Sequence, residues 1–243
     1  MKSQIRWLCG IDGCRGGWVI ARAASDLSDL SFEVAPDLDA IFARAGIDSL
    51  IAIDIPIGVP DNDPRVCDAA ARQLLRWPRS SSVFSPPARR ALHARTFHEA
   101  LRLNRETMGI GISKQAFHIM EKIRQVDDLM DAAKQQYVRE VHPEVTFAQL
   151  NGRPILHGKR TSAGRLERIA LLRTAGLHIS DSGLIRERAR LGARGVFHDD
   201  LIDALACLVT AAEIRNGRGQ ALGRVDQKDA KGLTMEIVCS GRM

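Results

Sequence analysis

The chain has 243 residues, 45% hydrophobic and 26% charged, with a net charge of +6; that balance is ordinary for a soluble globular protein with a core. Its five cysteines are odd in number and include no C-x-x-C, so neither a disulfide framework nor a zinc site is expected, which fits a reducing cytoplasm. No apolar stretch reaches the roughly 18 residues of a membrane span, and the opening "MKSQIRWLCG" has no signal-peptide apolar region.

Residues 5 to 11 predict a first strand that runs into Asp12. The glycine-rich turn "DGCRGG" and the run "WVIARAA" predict a second strand, and "LSFEVAP" a third, giving an antiparallel meander. "DLDAIFARAG" reads as a short helix, capped by Asp37 and stopped by Gly46. "SLIAIDIPIG" is apolar on both faces, the pattern of a central parallel strand, and Pro56 and Gly58 end it just past Asp54. Residues 59 to 135 form a helical insertion: "VCDAAARQLLRW", a Ser/Pro loop "PRSSSVFSPPARR", then "TFHEALRLNRETMG" and "ISKQAFHIMEKIRQVDDLM" as two more helices. "QQYVREVH" predicts a fifth strand, and "PEVTFAQLNG" starts a helix with Pro143 in first position. "SAGRLERIALLRTAG" and "LIRERARLG" are amphipathic, with Arg165 and Arg168 expected on one charged face. "HDDLIDALACLVTAAEIRNG" is apolar on nearly every side and is expected to be deeply buried. "MEIVC" is expected to add an edge strand. The order predicts one α/β domain over residues 1 to 243, built on a mixed sheet.

Acids stand out against this apolar background. Asp12 and Asp54 each follow an apolar run, at the strand ends where α/β proteins bind ligands. The late helix opens with Asp199, Asp200 and Asp203. Asp199 suits an N-cap, and Asp200 and Asp203 share a face at i, i+3. Asp203 precedes "ALACLV" and turns inward, so its carboxylate needs a partner, and hard oxygen ligands suit Mg²⁺ or Mn²⁺.

Two strand-borne aspartates and a late "DLIDALA" helix resemble the ribonuclease-H-like superfamily. The stretches "GIDGCRGGW", "AIDIPIG", "RVCDAAAR", "SSVFSPPAR", "KIRQVD", "EVHPEVTF", "GRLER" and "DDLIDALA" are together similar to a family of predicted nucleases, domain of unknown function family 429. The resemblance implies an RNase-H-like fold, with three antiparallel strands, then parallel strands, flanking helices and the insertion after strand four. It implies a nuclease that hydrolyses phosphodiester bonds of DNA or RNA with Mg²⁺ or Mn²⁺. Asp12, Asp54, Asp200 and Asp203 would be the catalytic metal ligands, Asp12 bridging two ions. Glu140 and Glu144 match family motif positions and join the candidate metal ligands.

Arg65, Arg72, Arg89, Arg90 and Lys122 are candidate phosphate contacts. Gln115 and Lys122, seven apart, are placed to share a helix face, and His142 is expected to be structural. Competing readings are an actin-like ATP-dependent phosphotransferase or ATPase, which uses similar strand-end aspartates, and a non-catalytic nucleic-acid-binding module. No adenosine-binding glycine motif follows in the second half. A homodimer is compatible with base rates.

Overall fold

Strand β1 (Trp7–Cys14) pairs antiparallel with β2 (Gly17–Ala24), which pairs antiparallel with β3 (Ser31–Ala35). This is the expected meander, closed by a two-residue turn at Arg15 and Gly16. Gly17 must be glycine: its φ is +123°, and a Cβ there would meet the Ala35 carbonyl oxygen at 2.2 Å. The computed structural model describes residues 5–44 and 48–241. Helix α1 (Asp39–Arg44) follows, with the Asp37 carboxylate accepting the Asp39 amide at 3.2 Å; its expected stop, Gly46, lies outside the described residues.

Strand β4 (Ser49–Ile53) runs parallel to β1, and β5 (Val138–Glu140) runs parallel to β4. The sheet order is therefore β3-β2-β1-β4-β5, with β4 in the interior as its two apolar faces predict. Between β4 and β5 come α2 (Val66–Arg79), α3 (Phe97–Met108), α4 (Lys114–His118) and α5 (Met120–Leu129). The single helix expected after Gly111 is two, because the chain turns at Ile119. After β5 come α6 (Pro143–Asn151), α7 (Ser162–Thr174), α8 (Asp181–Arg190) and α9 (His198–Arg215).

Strand alternation sorts the core into two layers. Leu8, Leu50 and Ala52 face α9 and pack with Leu201, Leu205 and Leu208. Cys9, Ile11, Ile51 and Ile53 face the other way, against Ile123 and Val126 of α5. Each fully buried leucine contributes about 1.5–3 kcal/mol, so α9, buried from Leu201 to Glu213, is a main source of stability. It lies so close to the sheet that a Cβ on Gly10 would sit 2.1 Å from the Ala204 oxygen and 2.2 Å from the Leu208 nitrogen.

The last strands differ from expectation. β7 (Thr234–Ser240) does not join the main sheet as an edge. It pairs with β6 (Gly219–Lys228) in a separate antiparallel ribbon that packs Ile237 and Cys239 on Cys67, Ala71 and Leu75 of α2. Among the described residues, no helix is long and apolar enough to cross a membrane.

Candidate active site

The site begins with register. Ile11 pairs with Ile53, and the Asp54 amide continues the ladder by donating to the Ile11 carbonyl at 2.9 Å. Asp12 and Asp54 are thus neighbours on adjacent parallel strands. Both continue the series of even-numbered residues, so both side chains rise on the α9 side of the sheet. Asp12 lies within β1 rather than at its end, two residues before Cys14. Asp203, in the second turn of α9, comes down from above and is buried. These three carboxylates line one cavity of about 490 Å³.

Their electrostatics record the crowding. Burial, then repulsion from Asp54 and Asp203, pushes the Asp12 carboxyl well above its ordinary value. Burial raises Asp54 as well, opposed by His142 and Lys159. Burial pushes Asp203 up to about 6, with Lys159 pulling back and Asp54 adding to the rise. Asp200 is also pushed up to about 6, mainly by burial. Its carboxylate accepts the Phe197 amide at 2.7 Å. Asp200, not Asp199, is therefore the acid that caps the backbone at this helix start.

Lys159, in the loop between α6 and α7, has no local sequence signal that marks it for the site. Its ammonium lies 2.6 Å from Asp203 Oδ2 and 3.7 Å from Asp199. Burial alone would lower Lys159, but the charges of Asp203 and Asp12 outweigh it and raise it. It is a built-in counter-ion for the acids. Lys122 of α5 stands on the other flank, above the Trp18 ring at 4.4 Å, and donates to the Gly17 carbonyl. Lys122 and Gln115 both line the cavity.

Glu140 and Glu144 line the same cavity, each held by a buried arginine. Arg65 Nη2 donates to both Glu140 oxygens, at 2.7 and 2.6 Å, and the Ile57 amide donates to Oε2 at 2.6 Å. Burial pushes Glu140 up to about 8 against the pull of Arg65. Three of the quoted sequence stretches, those around Ile57, Arg65 and Glu140, therefore meet at one point. Arg168 Nη2 donates to Glu144 Oε1 at 2.6 Å, while Glu144 Oε2 is buried without a hydrogen-bond partner. Arg168 is fully buried, so the charged helix face expected for it does not exist; the helix turns it inward to meet Glu144. Arg165 remains part-exposed and pairs with Asp181. His142 lines the cavity, with Nε2 at 3.3 Å from the Ser82 carbonyl oxygen.

The other candidate phosphate contacts are not gathered here. Arg65 is consumed by Glu140. Arg72 donates to the Val83 carbonyl and Ser85 hydroxyl. Arg89 bridges Asp127 and Asp229, and Arg90 lies on the surface at 3.6 Å from Glu106. Arg79 does line the cavity, its Nε buried without a hydrogen-bond partner, although nothing in its sequence context distinguishes it from its neighbours.

A family model described as a protein of unknown function, DUF429, matches residues 10–228, nearly the whole chain. The chain belongs to the DUF429 family. No curated protein and no solved structure matches it. In this DUF429 protein the donor set suits a hard divalent cation. Asp12, Asp54 and Asp203 offer carboxylate oxygens only, and Asp203 Oδ1 is buried without a hydrogen-bond partner. Among the described residues, no three His, Cys, Asp or Glu side chains form a ready metal cage; Asp203 is instead engaged by Lys159.

Proposed function

We propose that this DUF429 protein is a metal-dependent nuclease of the ribonuclease-H-like type. The observation that carries the proposal is the convergence of Asp12 and Asp54, on adjacent parallel strands, with Asp203 of α9 over one cavity. The strand order, three antiparallel strands followed by two parallel ones, supports the same reading.

Asp12, Asp54 and Asp203 would hold Mg²⁺ or Mn²⁺, with Asp200 beside them. When bound, such ions activate water and stabilise the leaving oxygen of a phosphodiester. The chain's own residues do the rest. The strands fix the backbone of Asp12 and Asp54 and the buried α9 that of Asp203, so the rearrangement that metal binding asks for is confined to side chains, above all the release of Asp203 by Lys159. The Arg65–Glu140 and Arg168–Glu144 pairs brace the cavity wall. Lys122, Lys159 and Arg79 bring positive charge to its rim, where it draws a phosphate chain inward. The five free cysteines fit a reducing compartment, and we place the protein in the cytoplasm.

The purified chain with Mn²⁺ or Mg²⁺ is expected to cut nucleic acid, and Asp12→Asn and Asp54→Asn each to abolish cutting. Failure on single-stranded, duplex, branched and hybrid substrates alike overturns the proposal. ATP consumption without cleavage favours an actin-like phosphotransferase instead.

A further inference from the structure

The cavity over the acidic centre is bordered by an exposed aromatic ring and cations, and an adjoining cavity carries a second such set. The first set lies on a strap made of the kinked end of α2, from Arg76 on, and the turn that follows it. Phe84, 37% exposed, lines the cavity with Arg79, and Trp77 stands 83% exposed on the same strap. The strap is fixed in place. Arg72 holds Val83 O at 2.9 Å and Ser85 Oγ at 2.8 Å, and His142 lies 3.3 Å from Ser82 O. Its backbone is strained where Trp77 is thrown outward, with Arg76 at φ 53°, ψ 169°, a conformation that costs about 1–3 kcal/mol and tends to occur at functional sites.

The second set lies in a cavity that shares Lys159 and Arg160 with the first and is lined by Phe197 and Arg188. Phe197 is 49% exposed. Arg160 is 89% exposed, with Asp199 at 3.7 Å. Arg188 donates to the carbonyls of Val196 and Ala193, which anchors the guanidinium and leaves its charge in place.

Two preset aromatic rings beside cations suit a polyanion whose bases are free to stack. A duplex hides its base faces inside its own stack; a single strand presents them. The geometry points to a single-stranded nucleic acid threaded across both stations, with bases on Phe84 and Phe197, phosphates on Arg79 and Arg160, and an internal phosphodiester over Asp12, Asp54 and Asp203. This rests on the nuclease reading and deepens it: the substrate is single-stranded, and it is cut internally.

The test is fluorescence anisotropy of the full chain in EDTA, so that binding is read without cleavage. Labelled oligothymidylate, oligouridylate and a duplex of equal length are compared. The single strands should bind at least about tenfold tighter than the duplex, and the two arms decide between DNA and RNA. Phe84→Ala and Phe197→Ala should each weaken single-strand binding by about fivefold to 150-fold with unchanged circular dichroism. Arg79→Gln and Arg160→Gln should each flatten its salt dependence. Equal binding of duplex and single strand overturns the inference. So does an effect of Phe84→Ala with none of Phe197→Ala, which would remove the second station. Single-strand binding without cleavage in Mn²⁺ leaves the track standing and removes the nuclease. Duplex cleavage without single-strand preference does the reverse.

Discussion

Replacing Gly10 by alanine should be among the most damaging additions of one methyl group to the main sheet. The new Cβ would lie 2.1 Å from Ala204 O, 2.2 Å from Leu208 N and 2.8 Å from Leu208 Cα, all backbone atoms of a buried helix. No rotamer change relieves such a clash, so α9 must lift from β1 by close to an ångström. A gap of 0.5–1 Å forfeits about a quarter to a half of each dispersion contact, and a buried leucine makes about 40–60 contacts of 0.1–0.2 kcal/mol. That is roughly 1–3 kcal/mol at the lower end for each of Leu201, Leu205 and Leu208, and about 3–5 kcal/mol in total after partial relaxation. Urea unfolding of Gly10→Ala should show that loss. Gly158→Ala, whose Cβ would meet only Thr161 Cγ2 at an ordinary 3.9 Å, should stay within about 0.5 kcal/mol of the parent. The wedge also falls beside the site, since Ala204 follows Asp203 and Gly10 precedes Asp12 by two. Mn²⁺ affinity should therefore fall in whatever fraction still folds. A loss below about 1 kcal/mol would refute the helix–sheet contact on which the site is built.

Three further outcomes are expected. The Asp203 carboxyl is raised from 3.8 to about 6 in the folded chain, so the folded state holds more protons than the unfolded one between those values. Stability without metal should then fall as pH rises through that window, by roughly 1–3 kcal/mol. Urea midpoints at about pH 4 and about pH 6 measure it, and both Mn²⁺ and Asp203→Asn should flatten the slope. Arg168→Met strands the buried Glu144 carboxylate and should cost about 3–5 kcal/mol; Arg168→Met with Glu144→Leu should recover most of this by thermal melting. Lys159→Met removes the built-in counter-ion, so calorimetry should show Mn²⁺ binding about tenfold tighter while the metal-free protein melts lower. Unchanged Mn²⁺ affinity would mean that Lys159 does not compete for the acids.

Much of this architecture is legible in local pattern. The apolar run of β4 announces an interior strand, and "GIDG" and "AIDIP" each announce an acid toward the end of a strand, because alternation and burial are local properties; that the two strands are neighbours comes from the pairing of β1 with β4. Arg65 and Arg168 are different. Arg168 in an amphipathic helix reads as solvated and Arg65 as a free phosphate contact, and only the arrival of Glu144 and Glu140 from distant stretches makes their burial possible. Lys159 and Arg79 are hidden for the same reason: nothing in "HGKRTS" or "PRSSS" says which cavity the loop will border. The residues of β6 are mostly exposed and do not alternate between apolar and polar, so its pairing with β7 carries no periodicity to read. The split between α4 and α5 is also invisible, since apolar spacing continues across Ile119.

The three carboxylates have an order of synthesis. Asp12 and Asp54 are made before Lys159 and Asp203, and the strands that carry them can pair while those two are still missing. At ordinary elongation rates of about 5–20 residues per second, Asp203 follows Asp12 by roughly 10–40 s. During that interval the nascent chain carries two thirds of an acidic cluster and no helix to close it. The separation of Asp54 from Asp203 along the chain is thus a timer: the centre is completed only after α9 has been translated.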